Sequence, residues 1–562
     1  MYSVISEAFI DLAKSMKITS SRSAVIAGNG MVATSQPIAT DIGLSVLKKG
    51  GSAVDAAIAA NAALGLMEPH MCGIGGDLFA IVWDEKEQQL HGLNASGRSP
   101  GSLDHAELSR RLRHLGTRRI PADSILSVSV PGAAHGWTTL HDRFGRLPFA
   151  ELLAPAIHYA ERGFPVSPVI AGQWQWAAAE ISGTTAGAFD DLYTRGGQAP
   201  AVGDIFTNKD LARSYRLVAD AGHKAFYQGE LADRIVGFMK DNGGYINHAD
   251  LQTHRSDWVT PVAVNYRGYD VFELPPNGQG IAALQMLKML EGDNLAAMGF
   301  MNVDCLHLML EAKKLVFEDR AKFYADPDFT EAQTGRLLSA EYSKKRRALI
   351  KHSAALRVRA GQGILRDGDT IYLTTADSAG NMVSLIQSIY HYFGSGFVIP
   401  ETGFALQNRG MSFSMDPSHA NVYAPGKRPF HTIIPAFVMK NGKPFMSFGV
   451  MGGDMQPQGH VQVLTNIIDF DMNVQLAGDA PRWRHNGSTE PTADVNEYLT
   501  DGGVVLLERG FPDQVVKELA KRGHHVQRAV DGFGGYQAIM KAANSIYHGA
   551  SESRKDGQAA GY

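Results

Sequence analysis

The pattern of apolar and polar residues changes character along the chain. In the first two thirds, apolar residues recur at helical spacing. This spacing predicts four helices, over residues 53–64, 149–163, 281–290 and 306–324. Ser52, followed by Asp55, is typical of a capping box at the start of the first of these helices. Alanine covers nearly every side of that helix, which indicates close packing in a core.

After about residue 368 the pattern becomes that of β-strands. Short alternating or apolar segments predict strands over residues 371–377, 381–390, 431–440 and 443–450. Two earlier segments, 78–83 and 268–274, are also predicted strands. The Asn441-Gly442 pair between the last two strands is a strong hairpin signal. A helix-rich first part and a strand-rich second part predict an α+β protein, in which helices pack on antiparallel sheet with strands from both parts.

Composition narrows the classes of function. The chain has 562 residues, with 53 Lys and Arg against 57 Asp and Glu, a net charge of −4. It therefore lacks the basic footprint of a protein that binds nucleic acid. Its two cysteines, Cys72 and Cys305, exclude a disulfide framework and a cysteine-based structural zinc site. Glycine is abundant, at 60 residues, which predicts many tight backbone turns.

Neither a membrane span nor an export signal is predicted. The most apolar stretch, residues 56–67, is well short of the ~20 residues that a spanning helix needs. At the N-terminus Ile5, Phe9, Leu12 and Met16 recur at helical spacing among acidic residues. That pattern predicts a docked amphipathic helix and not a signal peptide. We therefore expect a cytoplasmic protein without a membrane partner.

The first predicted hairpin brings two hydroxyl side chains together. Asp377 and Asn381 flank a three-residue loop in which Gly380 suits the left-handed position. If Asp377 faces Asn381, Thr370 lies opposite Ser388, where the two hydroxyls can form a hydrogen bond. A bulge would shift this register by one residue. The pair is either a site of chemistry or an ordinary polar contact between strands.

The second predicted hairpin places a glycine pair beside polar residues. With a two-residue turn, His431 faces Gly452 and Thr432 faces Met451. The run 450–454, VMGGD, then lies beside His431. Adjacent glycines after a strand leave backbone N–H groups accessible, as an oxyanion hole requires. The alternative is a glycine turn that is needed only for its backbone angles.

Two weaker motifs are interpreted as structural. Residues 275–280, PPNGQG, precede a predicted helix, whose N-terminus could hold an anion. They lack the GK[ST] of a phosphate loop and the GxGxxG of a dinucleotide fold. The adjacent His524 and His525 would point to opposite faces of a strand, which argues against a shared metal site.

A series of motifs runs through nearly the whole chain, from about residue 33 to residue 562. In order they are GGSAVDAAIAANAALGLMEPHMCGIGGD, SVPGAAHGW, YRGYDVFELPPNGQG, FEDRAKFYADPDF, GDTIYLTTADSAGNMVS, FGSGFVIPETGFALQNRG, APGKRPFHTIIPA, VMGGDMQPQGH and DAPRWRH. This series resembles the γ-glutamyltranspeptidase family of N-terminal-nucleophile hydrolases. A GDT at residues 368–370 and an SGR loop before Pro100 are most similar to the branch of oxamate amidohydrolase and γ-glutamyltransferase-like members.

The resemblance implies a four-layer α-β-β-α fold and a proenzyme that cuts itself between Asp369 and Thr370. Residues 1–369 would form the large subunit and residues 370–562 the small one, both within one structural domain because their strands share sheets. The Thr370 hydroxyl would attack the Asp369 carbonyl, and an N→O shift and hydrolysis would free the α-amine of Thr370. That amine, with a pKa near ~7.7–8.0, would then serve as the base for its own hydroxyl. No metal or organic cofactor is implied.

Further roles follow from the resemblance by position. Ser388 matches the hydroxyl residue that hydrogen-bonds the nucleophile. Gly452 and Gly453 match the pair whose amides form the oxyanion hole. His431 and Thr432 lie where members have two serines that hold the substrate's carboxylate.

The chain departs from the family at the residues that would bind the α-amino acid end of the substrate. γ-Glutamyl enzymes hold a free α-amino acid with an Arg, an Asp and an Asn, which correspond here to Ser96, Ser412 and Tyr390. Losing both charges argues against glutathione as the substrate. Arg98 and Arg409 are candidate cations for a carboxylate, or else structural ion-pairing residues. Tyr390 either lines the substrate site or is only a packed aromatic.

We therefore expect an amide hydrolase that acts on a small amide bearing a carboxylate and no amino group, such as oxamate. One alternative is a γ-glutamyltransferase or glutathione hydrolase. Another is a binding protein that no longer processes itself. The expected partners are the amide substrate and the two subunits with each other, and one possible assembly is a dimer of processed pairs.

Overall fold

The computed structural model describes residue 20 and residues 22–331, 333–354, 370–496 and 502–562. The predicted N-terminal helix and Asp369 lie outside these described residues. Within them, no helix combines the length and the apolar character that crossing a bilayer requires.

Two seven-stranded antiparallel sheets form the centre of the protein. The described strands are β1 (Val25–Ala27), β2 (Met31–Thr34), β3 (Asp77–Asp84), β4 (Gln89–Ala95), β5 (Phe164–Pro165), β6 (Ile205–Phe206), β7 (Asp257–Val259), β8 (Val262–Tyr266), β9 (Tyr269–Glu273), β10 (Ile371–Ala376), β11 (Met382–Ser388), β12 (Ala436–Lys440), β13 (Lys443–Val450), β14 (Trp483–Asn486), β15 (Val504–Leu507), β16 (His525–Arg528), β17 (Tyr536–Lys541), β18 (Tyr547–Ala550) and β19 (Gln558–Gly561). The first sheet has the order β1-β18-β17-β13-β12-β9-β8, and the second has the order β19-β2-β10-β11-β3-β4-β7. Strands β14, β15 and β16 form a small third sheet, and β5 pairs with β6.

The helices lie outside the sheet pair. They are α1 (Pro37–Lys48), α2 (Ala53–Met67), α3 (His105–His114), α4 (Ala133–Phe144), α5 (Phe149–Arg162), α6 (Pro168–Ile181), α7 (Phe189–Tyr193), α8 (Lys209–Ala221), α9 (His223–Tyr227), α10 (Glu230–Asp241), α11 (His248–Gln252), α12 (Gly280–Leu290), α13 (Leu295–Met298), α14 (Val303–Phe323), α15 (Thr334–Leu337), α16 (Ala340–Arg347), α17 (Met455–Ile468), α18 (Val474–Asp479) and α19 (Asp513–Lys521). All four helices predicted from spacing are present, as α2, α5, α12 and α14. The predicted capping box is also present, since Ser52 Oγ accepts from Asp55 N at 3.1 Å and Asp55 Oδ2 accepts from Ser52 N at 2.9 Å.

The layers follow from contacts on each face. Helix α2 is buried along its whole length on the outer side of the second sheet, where Thr375 of β10 donates to the Ala53 carbonyl at 2.6 Å. On the far side, His460 of α17 lies 2.7 Å from Glu273 of β9 in the first sheet. The order is therefore helix, sheet, sheet, helix, which confirms the predicted four-layer architecture.

The two sheets meet face to face at their middle strands. Thr374 of β10 and Ser447 of β13 share a hydrogen bond of 2.5 Å between the sheets. Gly449 of β13 lies against the ring of Tyr372 of β10, so closely that an added β-carbon would come within 2.4 Å of it. The glycine is needed there for close approach, since its φ is not in the left-handed region.

The first predicted hairpin has the predicted register. Ile371 pairs with Gln387 and Ala376 with Met382, so Thr370 and Ser388 are the next facing residues. Asp377 N donates to the Asn381 carbonyl at 3.0 Å and closes the loop.

The second predicted hairpin needs a correction. The Asn441-Gly442 turn is present, and Lys440 pairs with Lys443 as expected, but the register shifts by one residue between Val438 and Met439. Met439 faces Pro444, which has no N–H to offer the ladder, and the bulge occurs at that interruption. Strand β12 begins only at Ala436, so His431 and Thr432 precede the paired region instead of facing Gly452 and Met451.

Strands from the two sides of position 370 are neighbours in the second sheet. β10 lies between β2 and β11, and β11 lies between β10 and β3. Both β10 and β11 thus pair with strands from the first 369 residues. A cut before Thr370 would leave one sheet built from two chains.

We expect Gly449→Ala to destabilise the fold by about 1–3 kcal/mol, because the methyl group would overlap the Tyr372 ring between two packed sheets. The measurement is urea denaturation followed by tryptophan fluorescence. Gly172→Ala in α6 is the control, since a β-carbon there meets nothing within 4 Å. The control should be neutral or more stable by up to about 1 kcal/mol, and equal losses in the two variants would contradict the packing argument.

Candidate active site

Thr370 is the first described residue after the gap at residues 355–369, and it directly precedes β10. Its side chain is buried, and its Oγ1 donates to Ser388 Oγ at 3.2 Å. Ser388 is the last residue of β11 and is also buried. The predicted pair of hydroxyls is therefore a buried contact, not a surface one.

Two fixed donors hold the Ser388 hydroxyl. Tyr390 N donates to Ser388 Oγ at 2.8 Å, and Arg409 Nη2 donates at 3.4 Å. Tyr390 has φ +81°, a conformation that bulky residues rarely adopt. This backbone turn directs the Tyr390 N–H back at Ser388, and such outliers persist only where surrounding contacts enforce them.

Arg409 supplies a buried positive charge next to these hydroxyls. Its Nη1 donates to Thr432 Oγ1 at 2.9 Å, and its guanidinium lies 3.9 Å from the centre of the Tyr390 ring. Burial lowers the pKa of Arg409 to about 10, so the side chain stays charged at neutral pH. Among the described residues, no carboxylate lies within ion-pair distance of it, its Nε has no hydrogen-bond acceptor, and the charge of Asp77 raises its pKa only from farther away.

His431 and Asp77 form a buried pair beside Arg409. Burial, and then the charge of Arg409, lower the pKa of His431 to about 4, so the ring is neutral. His431 Nδ1 accepts from Ile433 N at 3.4 Å, which leaves the proton on Nε2, and Nε2 donates to Asp77 Oδ2 at 3.1 Å. Both ring nitrogens are thus occupied by the protein, and a role for His431 in holding a carboxylate stays a prediction.

Asp77 is a buried junction, a carboxylate that joins several segments through hydrogen bonds, and the sequence analysis did not identify it. Its Oδ1 accepts from Gly97 N at 2.9 Å, Gly132 N at 3.1 Å and Gln407 Nε2 at 3.0 Å. The residue begins β3, where it pairs with Ser388. It ends the motif CGIGGD, so its place after a glycine turn was visible, but its four donors come from distant segments.

The glycine loop lies at the start of α17. Gly452 has φ +113° and Gly453 φ +53°, both left-handed. Neither N–H donates to another described residue, which leaves both donors available. The side-chain amide of Gln279 donates to the carbonyls of Gly453 at 2.9 Å and Thr432 at 2.7 Å. The segments of the second hairpin are therefore neighbours, although a side chain joins them and not the predicted register.

Arg98 is placed differently from Arg409. Its guanidinium lies 3.7 Å from Asp257, 3.6 Å from Asp326 and 3.3 Å from Asp328, and it is about one third exposed. None of its described contacts is with Thr370, Ser388 or Arg409. The structure thus matches the alternative of structural ion pairing, and a role for Arg98 in binding substrate stays a prediction.

Two clusters of histidine and acid have the spacing of metal ligands within the described residues. One is His307, Glu311 and His524, and the other is Asp84, Glu87 and His91. In each cluster a cation already pairs with a carboxylate. Lys314 lies 2.8 Å from Glu311, and Arg143 lies 3.2 Å from Glu87. Neither cluster includes a residue that contacts Thr370.

Comparison with known proteins identifies the family. The Gamma-glutamyltranspeptidase family model matches residues 39–562. The chain belongs to the gamma-glutamyltranspeptidase family. It is 36% identical to the glutathione hydrolase-like YwrD proenzyme of Bacillus subtilis, over 96% of this chain and 99% of that protein. It is 34% identical to the oxamate amidohydrolase proenzyme of Klebsiella pneumoniae, with the same coverage of 96% and 99%.

A solved structure supports the same assignment. The crystal structure of cephalosporin acylase from Bacillus halodurans is 42% identical and superposes with a TM-score of 0.88, covering 98% of both chains. The gamma-glutamyltranspeptidase family consists of N-terminal-nucleophile amide hydrolases, and the relatives from Bacillus subtilis and Klebsiella pneumoniae are named as proenzymes. This chain is accordingly an amide hydrolase of that family.

We expect Asp77→Asn to lower the free energy of unfolding by about 1–3 kcal/mol. If the amide oxygen takes the three donors, the amide nitrogen faces His431 Nε2, and the ring must move its proton to Nδ1, against the Ile433 N–H. The measurement is urea denaturation.

Asp84→Asn, at the other end of β3, is the matched control for Asp77→Asn. Asp84 Oδ1 accepts from Lys86 N at 2.8 Å and Glu87 N at 3.2 Å, and an asparagine oxygen can do the same. We expect a change below about 0.5 kcal/mol. An Asp77→Asn protein as stable as this control would show that the hydrogen bonds of Asp77 contribute nothing to the free energy of unfolding.

Proposed function

We propose that the chain cuts itself before Thr370 and then hydrolyses a short amide that carries a carboxylate, with Thr370 as the nucleophile. The products of the cut would be a large subunit of residues 1–369 and a small subunit of residues 370–562. The observation that carries the substrate class is Arg409, a buried cation beside the nucleophile without a described carboxylate of its own. The cytoplasmic location and the dimer of processed pairs stay predictions.

The arrangement supports a two-step reaction. The α-amine of Thr370 takes the proton of its own hydroxyl as Oγ1 bonds to the substrate's carbonyl carbon. The N–H groups of Gly452 and Gly453 stabilise the negative oxygen that forms. The amine then gives the proton to the leaving nitrogen, the C–N bond breaks and an ester remains on Thr370. Water, deprotonated by the same amine, cleaves the ester and restores the hydroxyl.

Ser388 and Arg409 limit where the rest of the acyl group can lie. Arg409 donates to Ser388 Oγ, and Ser388 accepts from Thr370 Oγ1, so the guanidinium is at most two hydrogen bonds from the attacking oxygen. A carboxylate that pairs with Arg409 can therefore lie close to the scissile carbonyl. Oxamate, in which the amide and the carboxylate are directly bonded, is compatible with this arrangement.

Gamma-glutamyl amides form the second candidate class, because the YwrD proenzyme is named as glutathione hydrolase-like. The surroundings argue against an α-ammonium group in this chain. Ser96 is buried and its hydroxyl donates to Asn94 at 2.7 Å, and Ser412 replaces the family's acid. Asp77, the buried carboxylate nearby, is already occupied by four donors.

Self-cleavage is tested on a denaturing gel with N-terminal sequencing of the fragments. We expect the wild-type chain to give two bands, near 40 and 20 kDa at ~110 Da per residue, with the smaller beginning at Thr370. Thr370→Ala should stay as one band of 60.7 kDa and keep the fold. A wild-type chain that remains whole would support the alternative of a binding protein.

Substrate class is tested with a series of monoamides of increasing length, from oxamate through malonamate and succinamate to glutaramate, beside a γ-glutamyl anilide. We expect kcat/KM to be highest for the short members and lowest for the anilide. Arg409→Met should lower kcat/KM for oxamate about 10- to 100-fold, the equivalent of about 1.5–3 kcal/mol for a charge-assisted hydrogen bond.

Oxamide, in which a neutral amide replaces the carboxylate, is the control substrate for Arg409→Met. Its hydrolysis should change far less than that of oxamate, because no charge pair is lost. Equal losses on oxamate and oxamide would remove Arg409 as the anchor. Faster turnover of the γ-glutamyl anilide than of every monoamide would overturn the substrate class.

A further inference from the structure

The glycine loop of Gly452 and Gly453, here called the oxyanion loop, has to be held in its conformation by contacts from outside the loop. Two consecutive glycines in left-handed conformations have many alternative backbone angles, and a rotation of one peptide plane would turn an N–H away from the substrate. The carbonyl of Gly452 accepts from Met455 N at 2.9 Å, within the first turn of α17. The carbonyl of Gly453 accepts from Gln456 N at 3.2 Å and from Gln279 Nε2 at 2.9 Å. Gln279 therefore fixes, from outside the loop, the peptide that joins Gly453 to Asp454, which directly follows the two peptides that carry the N–H groups of Gly452 and Gly453.

The orientation of the Gln279 amide is itself determined. Arg320 Nη1 donates to Gln279 Oε1 at 2.7 Å. Because a guanidinium can only donate, the oxygen must face Arg320 and the nitrogen must face the loop. The two N–H groups of that nitrogen then go to the carbonyls of Gly453 and Thr432. Every polar atom of this buried side chain is used.

Arg320 is anchored at the same loop. It is fully buried, and its Nη1 and Nη2 lie 2.5 and 3.2 Å from the Asp454 carboxylate. Its Nη2 also donates to Glu490 at 3.1 Å. Burial by itself would raise the pKa of Asp454, but the charge and hydrogen bonds of Arg320 outweigh it, so the pKa is lowered and the carboxylate stays ionised. Asp454 directly follows Gly453, so the loop is held at its carbonyl and at the next side chain.

Gln279 and Arg320 precede the proposed cut in the sequence, whereas the oxyanion loop follows it. Gln279 precedes α12 and Arg320 lies in α14, both within residues 1–369, whereas the loop and Thr432 lie within residues 370–562. We propose that Gln279, oriented by Arg320, is a positioning residue that holds the Gly453–Asp454 peptide and thereby limits rotation of the adjacent Gly453 N–H, which the oxyanion hole needs. The large subunit thereby completes, across the chain break, an oxyanion hole built on the small one. This inference rests on the proposed function of the glycine pair.

The test is Gln279→Glu. A glutamate has the same shape and can still pair with Arg320, but it presents an oxygen where the two carbonyls need a donor. We expect kcat for oxamate to fall about 100- to 1,000-fold, the range for loss of an oxyanion donor. KM should change less than kcat, because Arg409, the proposed carboxylate anchor, makes no described contact with Gln279, although both contact Thr432.

Gln462→Glu is the matched control. Gln462 is buried in α17, and its Nε2 also donates to two carbonyls, those of Gln458 at 3.0 Å and Trp483 at 2.9 Å. Its Oε1 likewise accepts one donor, Trp483 N at 2.9 Å. It makes no described contact with the glycine loop. A comparable loss of thermal stability with kcat within threefold of wild type is expected for it.

A second readout depends on the oxyanion alone. A thioamide analogue replaces the oxygen by a larger atom that accepts hydrogen bonds weakly, so the ratio of amide to thioamide rates measures the hole. We expect this ratio to fall in Gln279→Glu and to stay at the wild-type value in Gln462→Glu. If Gln279→Glu does not fold or cut, Gln279→Met carries the test. It removes the donors without adding charge, and we expect it to lower kcat about tenfold.

Failure of this inference is distinguishable from failure of the proposed function. If the wild-type chain is cut before Thr370 and active, but the Gln279 variants keep kcat and the thioamide ratio, the positioning role is wrong and the proposed function stands. A parallel fall of kcat in Gln279→Glu and Gln462→Glu would reduce Gln279 to a structural contact. A wild-type chain without a Thr370 terminus would instead remove the proposed function.

Discussion

The pairing of β10 with β11 is the constraint on which the candidate site depends. Thr370 precedes one strand and Ser388 ends the other, so their contact exists only in the observed register. Both strands are buried on both faces, between the other sheet and α2. A slip by one residue would turn every one of their side chains to the opposite face. The whole core therefore enforces one hydroxyl contact.

The sequence was sufficient for the first hairpin and not for the second. A short loop with a suitable glycine and a period of two determine Thr370 opposite Ser388, because nothing interrupts the ladder. In the second hairpin Pro444 removes a donor, and the bulge that follows displaces the register by one. The helices and the capping box were predictable, since local spacing determines them. The link between Thr432 and Gly453 was not, because it runs through Gln279 from a distant loop.

Tertiary surroundings also separate two arginines that the sequence presented as equals. Arg98 meets three carboxylates from separate segments and is neutralised there. Arg409 is buried beside Thr432 and Tyr390 with no described carboxylate within ion-pair distance, and the charge of Asp77 acts on it only from farther away. Burying a cation in this way opposes folding, and such unfavourable groups are tolerated where function needs them. A carboxylate on the substrate would supply the direct ion pair that the described residues do not provide, so substrate binding would offset part of the cost of burying Arg409.

The mixed origin of the strands in the second sheet has a consequence for refolding of the protein. Before scission, β2, β10, β11 and β3 are parts of one polymer, and their meeting is intramolecular. After the proposed cut before Thr370, the same sheet could re-form only by encounter of two separate molecules, at a rate that depends on their concentration. Maturation would therefore be irreversible in practice. The chain would have to fold before it is cut, and a cut enzyme denatured at low concentration would refold slowly or not at all.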